Sequence, residues 1–328
     1  MIDDLLAELI VGQSPAMREL RARIGKVAPV SLPVLIQGPT GAGKELVAEA
    51  LHVASGRAGH FVPFNVSAIP ETMFEDTLFG HVRGSFTGAT QNRRGYLGEA
   101  NSGTLFLDEI GSLPLPVQPK LLRAIESGKF RAVGSAKDET SCFRVVAATS
   151  EDLVRAVRRG AFRADLVHRL MGLVIVVPAL RDRLDDVPLL ARHIAGRVAA
   201  SHRVPAELSD GAIAMLQRHS WPGNVRELKH VVEAAIALAT TSHISARDVQ
   251  DVLANRHERR GSWLYSGDSE ERRTLTALLD RCEWDTKVAA ERLQVHRSTL
   301  YRRMERLGIP AQRWRESVVP DVTLGGDD

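Results

Sequence analysis

The sequence is poor in cysteine: only Cys142 and Cys282 occur in 328 residues. With no CxxC pair and no Cys/His cluster of zinc-ligand spacing, a disulfide framework and a structural zinc are both excluded. No apolar run reaches the roughly 18 residues of a membrane-spanning helix; the longest, Gly172 to Leu180, falls far short. The N-terminal Met1-Ile2-Asp3-Asp4 is acidic and lacks the basic-then-apolar pattern of a secretory signal, which points to a reducing cytoplasm. No long-period repeat runs along the chain, so a solenoid is not indicated. Charge of one sign is also lacking: 43 Lys+Arg stand against 40 Asp+Glu, for a net charge of +3. That average names no partner, and a nucleic-acid surface has to be sought locally. What is present, 44% hydrophobic and 25% charged residues, excludes global disorder and suits two or three domains.

Up to about residue 175 short β-branched runs alternate with helical patterns, which predicts an α/β domain with a largely parallel sheet. Val34-Leu35-Ile36 runs into a Gly-rich turn, Thr104-Leu105-Phe106-Leu107 into Asp108-Glu109, and Val145-Val146-Ala147-Ala148 into Thr149-Ser150. Ligands of such sheets sit at the carboxyl ends of the strands, where all three motifs fall. After Pro178 the pattern predicts helices over 187–200, 209–219, 224–239 and 245–254, the last opened by Ser245 and Asp248 in capping-box spacing. The expected domains are an α/β core over 1–175, an all-α lid over 176–254, a polar linker over 255–269, a helical unit over 270–309 and a tail over 310–328.

Gly38-Pro39-Thr40-Gly41-Ala42-Gly43-Lys44 fits GxxxxGK between a strand and a helix. In that context the backbone N–H groups wrap a phosphate, the helix N-terminus adds a favourable dipole, and Lys44 neutralises the β- and γ-phosphates. The next residue is Glu45 and not the usual Mg²⁺-holding Ser or Thr, so the metal must lean on another acid. Asp108-Glu109 supplies it: two adjacent carboxylates after an apolar strand have no packing rationale. Asp108 then serves Mg²⁺, and Glu109 polarises the attacking water. Thr149, at another strand end, is placed to sense the γ-phosphate. Arg163 and Arg169 are read from the sequence alone as a solvated helix face.

These motifs, taken in order, identify a resemblance. Gly84-Ser85-Phe86-Thr87-Gly88-Ala89 is similar to the GAFTGA loop of the AAA+ activators of sigma-54 RNA polymerase, the bacterial enhancer-binding proteins. Leu78-Phe79-Gly80-His81 before it, Gly103 to Ile110, Phe162-Arg163 with Asp165-Leu166 and Arg169-Leu170, and Trp221-Pro222-Gly223-Asn224-Val225-Arg226-Glu227-Leu228 also resemble the family's pattern. The resemblance covers roughly 10–254. It implies a P-loop ATPase that works as a homo-oligomeric ring, a hexamer, with ATP and Mg²⁺ at subunit interfaces. Arg163 and Arg169 then act in trans on a neighbour's nucleotide. Arg226 contacts phosphates from within the subunit, Val11 and Gly12 lie near the adenine, and Asn65 holds the catalytic Glu109. Phe86 and Thr87 ride on a mobile loop that touches sigma-54. Ser85 stands where the family keeps Ala, Ser150 where it keeps Asn, and Val167-His168 where it keeps an aromatic pair.

The C-terminal stretch reads as a DNA-binding unit. Leu275, Leu278, Leu279 and Cys282 form a buried helix stripe. Asp285 is placed to cap a second helix carrying Val288, Ala289 and Leu293, and a third over 297–307 turns Leu300, Met304 and Leu307 inward. The other face of that helix shows Arg297, Ser298, Thr299, Arg302, Arg303 and Arg306, suited to phosphates and to base edges in the major groove. This segment also resembles the Fis-like helix–turn–helix of the same activators, which implies DNA-binding dimers on a paired upstream enhancer site. Because the P-loop begins at Gly38, the chain is expected to resemble short members such as the phage-shock activator, controlled by a trans-acting inhibitor or co-regulator. The function expected is ATP-driven opening of sigma-54 polymerase closed complexes; the alternative is a DNA-binding AAA+ regulator acting independently of sigma-54.

Overall fold

The computed structural model describes residues 2–202, 206–239, 241–260, 266–282, 284–293, 299–301, 304, 307 and 309. Five parallel strands make the central sheet: β1 (Val34–Gln37), β2 (Phe61–Asn65), β3 (Thr104–Asp108), β4 (Arg144–Thr149) and β5 (Leu173–Val176). Their spatial order is β2-β3-β4-β1-β5. Side chains alternate across the sheet with the two-residue strand period, and both faces are covered. Leu105, Leu107, Val145 and Ala147 enter one core with Phe64, Leu78, Leu121 and Leu166. Phe106, Val146 and Ala148 enter the other with Ile24, Val47 and Leu51. Both layers are therefore mainly aliphatic, and the α/β class expected from the alternation is the one observed.

The register aligns the carboxyl ends. Gln37 lies opposite Thr149 and Asn65 opposite Asp108. One hydrogen bond continues the ladder past β1, from the Gly38 N–H to the Thr149 carbonyl at 3.3 Å. At the opposite end of β4, Arg144 is 1% exposed, and its guanidinium donates to the carbonyls of Val27 at 2.9 Å, Ala28 at 2.7 Å and Leu32 at 3.4 Å. The first two close the helix Pro15–Val27, whose last carbonyls have no intrahelical donor. Burial, with some repulsion from Arg57, lowers the Arg144 pKa to about 10, so the group stays charged at neutral pH.

The lid consists of helices Val187–His202, Asp210–Arg218, Asn224–Leu238 and Ala246–Arg260. Ser209 caps the second, accepting from the Ala212 N–H. The Ser245–Asp248 capping box forms as expected, with Ser245 N–H donating to Asp248 at 2.8 Å and Asp248 N–H donating to Ser245 Oγ at 3.3 Å. The chain divides into two units, Met1–Val249 and Gln250–Asp328. The core and the first three lid helices thus belong to one unit, held by contacts that no local pattern reveals, and helix Ala246–Arg260 runs across the division.

The expected linker over 255–269 needs correction. Residues 255–260 continue helix Ala246–Arg260, and residues 266–269 open helix Ser266–Arg281. The cause is compositional: Arg256 to Arg260 contains charged, mostly helix-favouring residues and no helix breaker before Gly261. Charge density alone is a poor marker of a loop.

In the second unit Leu275, Leu279, Cys282, Ala289, Ala290, Leu300, Met304 and Leu307 form one core. Asp285 caps helix Thr286–Arg292 as expected, accepting from the N–H groups of Lys287 at 2.7 Å and Val288 at 3.2 Å. Val288, however, is exposed, and Ala290 is buried in this core instead.

Arg144→Met should leave the Ala28 and Leu32 carbonyls without their donor and the Val27 carbonyl with only the Val30 N–H, which donates to it at 3.1 Å. A loss of about 2–4 kcal/mol is expected, read as a lower denaturation midpoint in urea, while an unchanged midpoint would show that the helix end is satisfied another way.

Candidate active site

The loop after β1 turns into helix Lys44–Ser55, so its backbone N–H groups and the helix N-terminus face the same space. Gly41 has a φ of +78°. A Cβ there would lie 2.5 Å from the Gly223 carbonyl oxygen and 3.0 Å from Arg226 Cβ, so the close approach of lid and loop requires glycine. The Arg226 N–H donates to the Gly41 carbonyl at 3.2 Å. Asn224 is buried at a φ of +53° and bridges the two parts. Its amide donates to the Thr40 carbonyl at 3.0 Å and accepts from the Leu180 N–H at 2.8 Å. Pro39 and Thr40 form the outer part of the loop, Ala42 packs inward, and Glu45 is exposed in the first helical turn.

Lys44 is 6% exposed, and its Nζ lies 3.1 Å from the Gly38 carbonyl and 3.4 Å from Glu109 Oε1. Burial raises the Asp108 pKa, and the neighbouring Glu109 charge raises it further; Lys44 and Arg226 act in the opposite direction. Glu109 takes a left-handed conformation, φ +50°, rare for a residue with a side chain. Its Oε2 accepts from the Ser150 hydroxyl at 2.9 Å and from the Ser150 N–H at 3.3 Å. Asn65, at the end of β2, is directed elsewhere: its Oδ1 accepts from the Ser67 N–H at 3.0 Å and the Ser67 hydroxyl at 2.8 Å. Thr149 is fully buried, and its hydroxyl exchanges hydrogen bonds with the backbone of Glu151.

Beside the loop lies a cleft of about 780 Å³, lined in part by Val11, Ala42, Gly43, Arg183, Ile194 and Val225. Two residues with no prior expectation organise it. Arg183, buried, donates to the Ala42 carbonyl at 3.1 Å. Asp186 accepts from the N–H groups of Gln13 at 2.5 Å and Ser14 at 2.7 Å, and from the Ser14 hydroxyl at 2.6 Å. It fastens the segment containing Val11 and Gly12 to the start of the lid. The only sequence signal was the charge-rich run Arg181 to Asp186, which gives no partner.

Arg163 and Arg169 are exposed at the start and on the body of helix Ala164–Leu170. Arg163 is paired bidentately with Asp165, at 3.1 and 2.7 Å. Gly84 and Gly88 have φ values of +82° and +102°, and the Gly84 N–H donates to the Ala89 carbonyl at 2.9 Å, closing the loop they bracket. Phe86 at its tip is 46% exposed, with its ring centroid 5.0 Å from that of His81 in an edge contact. Thr87 is exposed. Ser85 Oγ is buried without a hydrogen-bond partner, the local consequence of serine at that position. The loop base pairs with a second segment: the Val82 N–H donates to the Val133 carbonyl at 3.1 Å, and the Val133 N–H to the Gly80 carbonyl at 2.8 Å. Of the expected DNA-reading residues, Thr299 is exposed next to the buried Leu300. Arg297, Ser298, Arg302, Arg303 and Arg306 lie outside the described residues.

Comparisons with known proteins agree with this arrangement. The family described as "Sigma-54 interaction domain" matches residues 10–176. An "AAA+ ATPase lid domain" matches 181–262, and a "Bacterial regulatory protein, Fis family" matches 269–307. The chain is 38% identical over 316 residues to the transcriptional regulatory protein GlrR of Escherichia coli K12, spanning 96% of this chain and 71% of that one. It is 49% identical over 232 residues to the anaerobic nitric oxide reductase transcription regulator NorR of Aeromonas hydrophila, spanning 70% of this chain and 46% of NorR. Crystal structures of NtrX from Brucella abortus include one in complex with ADP, at 34% identity and a TM-score of 0.68, spanning 91% of this chain and 68% of NtrX.

The raised Asp108 pKa has a sign that can be tested. A carboxyl whose folded pKa lies above its unfolded value lowers stability as pH rises through the folded value. Asp108→Asn keeps the Oδ1 that accepts from the Glu109 N–H. In magnesium-free buffer this variant should melt about 1–3 °C above the parent at pH 8, with the gap closing toward pH 4. An equal or lower melting temperature at pH 8 would show that the charge is not penalised.

Proposed function

The chain belongs to the sigma-54 interaction family, a transcriptional regulator with an AAA+ ATPase domain and a Fis-family DNA-binding unit, and we propose that it couples ATP hydrolysis to opening of sigma-54 RNA polymerase closed complexes. In this reading the adenine enters the cleft beside Val11, and the phosphates lie in the Gly38–Gly43 loop. Lys44 and Arg226 meet the phosphate charge. Glu109 takes a proton from water as the water oxygen bonds to the γ-phosphorus, the bond from that phosphorus to the β,γ-bridging oxygen breaks so that ADP leaves, and Thr149 fixes the strand end behind the γ-phosphate. Asn65 closes the same edge beside Asp108.

The residues also suit a divalent cation. Asp108 offers a hard carboxylate oxygen whose charge is penalised by burial and by Glu109, and a cation relieves both. Mg²⁺ held by Asp108 would offset phosphate charge; Glu45 stands where a hydroxyl ligand is usual, so Asp108 carries that duty without it. Arg163 and Arg169, exposed on one short helix, are suited to reach a neighbouring copy's nucleotide in a ring, a hexamer by family precedent. Arg163 exchanges Asp165 for phosphate on doing so.

The observation that carries the reading is Phe86: a large apolar side chain exposed on a glycine-bracketed loop, in the same unit as a complete hydrolysis set. Such a tip meets its own chain in one edge contact, with His81, and its exposed remainder suits a transient contact with a partner. Sigma-54 is that partner in this proposal, with Gly84 to Ala89 as the contact. Upstream DNA is bound through Thr299 and the neighbouring Arg297, Ser298, Arg302, Arg303 and Arg306, as paired units on a two-fold site.

With ATP, the protein should convert sigma-54 polymerase closed complexes to heparin-resistant open complexes at a promoter carrying its site. Thr87→Ala should keep ATP turnover within about twofold and lose opening by about tenfold or more, a loss of roughly 1.4 kcal/mol in coupling. Opening that survives Thr87→Ala removes the loop from the mechanism. Intact ATP turnover with no opening by the parent protein favours regulation independent of sigma-54.

A further inference from the structure

Hydrolysis depends on where Glu109 points, and its two carboxylate oxygens are held by groups of different kinds. Oε1 faces Lys44 Nζ at 3.4 Å. Oε2 accepts from the Ser150 hydroxyl at 2.9 Å and the Ser150 N–H at 3.3 Å. The lysine is a cation that also leans on the Gly38 carbonyl at 3.1 Å. A polyphosphate in the loop carries more negative charge than one carboxylate and draws that cation to itself. The serine grip makes no use of the lysine and is not subject to that competition.

Ser150 is delivered from rigid scaffold. It follows β4, all six residues of which are buried. Thr149 just before it accepts from the Gly38 N–H at 3.3 Å and is tied to Glu151 through its own hydroxyl. Glu109, by contrast, sits at a strained φ of +50° in the turn after β3, where an unheld side chain has other places to go. At this edge the Asn65 Oδ1 accepts from Ser67 and the Thr149 hydroxyl pairs with the Glu151 backbone, and among the described residues neither side chain donates to Glu109. A hydroxyl donating to an ionised carboxylate makes a short, charge-assisted bond, and the adjacent N–H adds a second donor to the same oxygen.

We propose that Ser150 is the positioning residue for Glu109: its hydroxyl and N–H keep the carboxylate aimed while the phosphates take Lys44. Ser150 acts through Glu109 and not on the nucleotide. The inference rests on the reading of Glu109 as the group that takes the proton from attacking water, and the experiment separates the two.

The test uses the full chain, with steady-state ATP turnover and ATP binding by calorimetry. Ser150→Ala should lower kcat about tenfold with KM for ATP within twofold, and Ser150→Thr, which restores the hydroxyl at an exposed position, should return kcat to within about threefold of the parent. In a Glu109→Gln background, adding Ser150→Ala should leave ATP affinity within twofold. An unchanged kcat in Ser150→Ala, or a kcat that Ser150→Thr fails to restore, overturns the proposal. So does an ATP affinity that falls severalfold in the Glu109→Gln background, because the hydroxyl would then touch the nucleotide directly. If Glu109→Gln itself keeps parental turnover, the reading of Glu109 fails and the proposal goes with it. A loss on Glu109→Gln with no effect of Ser150→Ala sinks the proposal alone.

Discussion

The parallel register of the sheet is the constraint on which the site depends. Because all five strands run the same way, the chain leaves β1, β2, β3 and β4 at one edge. Gly38, Asn65, Asp108 and Thr149 emerge there side by side. A slip of one residue would exchange the two faces of each strand. Leu105 and Leu107 would leave one aliphatic layer and Phe106 the other. Two cores therefore hold the polar edge in alignment, and the bond from Gly38 to Thr149 extends that alignment into the phosphate loop.

The lid is joined to this edge by few but buried groups. Asn224 takes a positive φ, and its amide ties Thr40 to Leu180. Arg183 and Asp186 tie the same region to Ala42 and to Gln13 and Ser14. Buried polar groups are costly unless paired, so these contacts favour a defined seating of the lid over a sliding one. The same economy appears at the loop of Phe86. Its tip is exposed, but its base is hydrogen-bonded to Val133, which belongs to the long excursion between β3 and β4. That excursion begins directly after Asp108, so the segment that pairs with the loop base continues the stretch of chain carrying Asp108 and Glu109.

Legibility followed burial and local chemistry. β1, β3 and β4 read clearly in the sequence because each is a buried run that ends in a motif. β2 and β5 did not, and they are the two edge strands. β2 contains Pro63, which an edge strand tolerates and a central one does not, and its Pro63 and Asn65 are exposed. β5 lies in the apolar run Gly172 to Leu180, whose lack of alternation gives no period to read. The polar stretch after Ala254 misled in the other direction, since helix-forming charged residues look like a linker until a breaker appears. In the C-terminal unit the spacing of Leu300, Met304 and Leu307 predicted burial correctly, whereas Val288 is exposed and Ala290, for which the spacing held no expectation, is buried.

The sequence by itself determined the chemistry: a GxxxxGK loop, an acid pair after an apolar strand, an exposed Phe-Thr loop and a basic terminal helix. These are local arrangements, written in consecutive residues, and spacing suffices to read them. Tertiary structure alone decided who holds Glu109. Asn65 and Ser150 both stand at strand ends beside it, and nothing in their spacing ranks them. The choice came from register and from turn geometry after each strand, which send the Asn65 amide to Ser67 and the Ser150 hydroxyl to the carboxylate. Hydrogen bonds between side chains far apart in the chain are set by backbone direction at the ångström scale, and that direction exists only once the sheet is assembled.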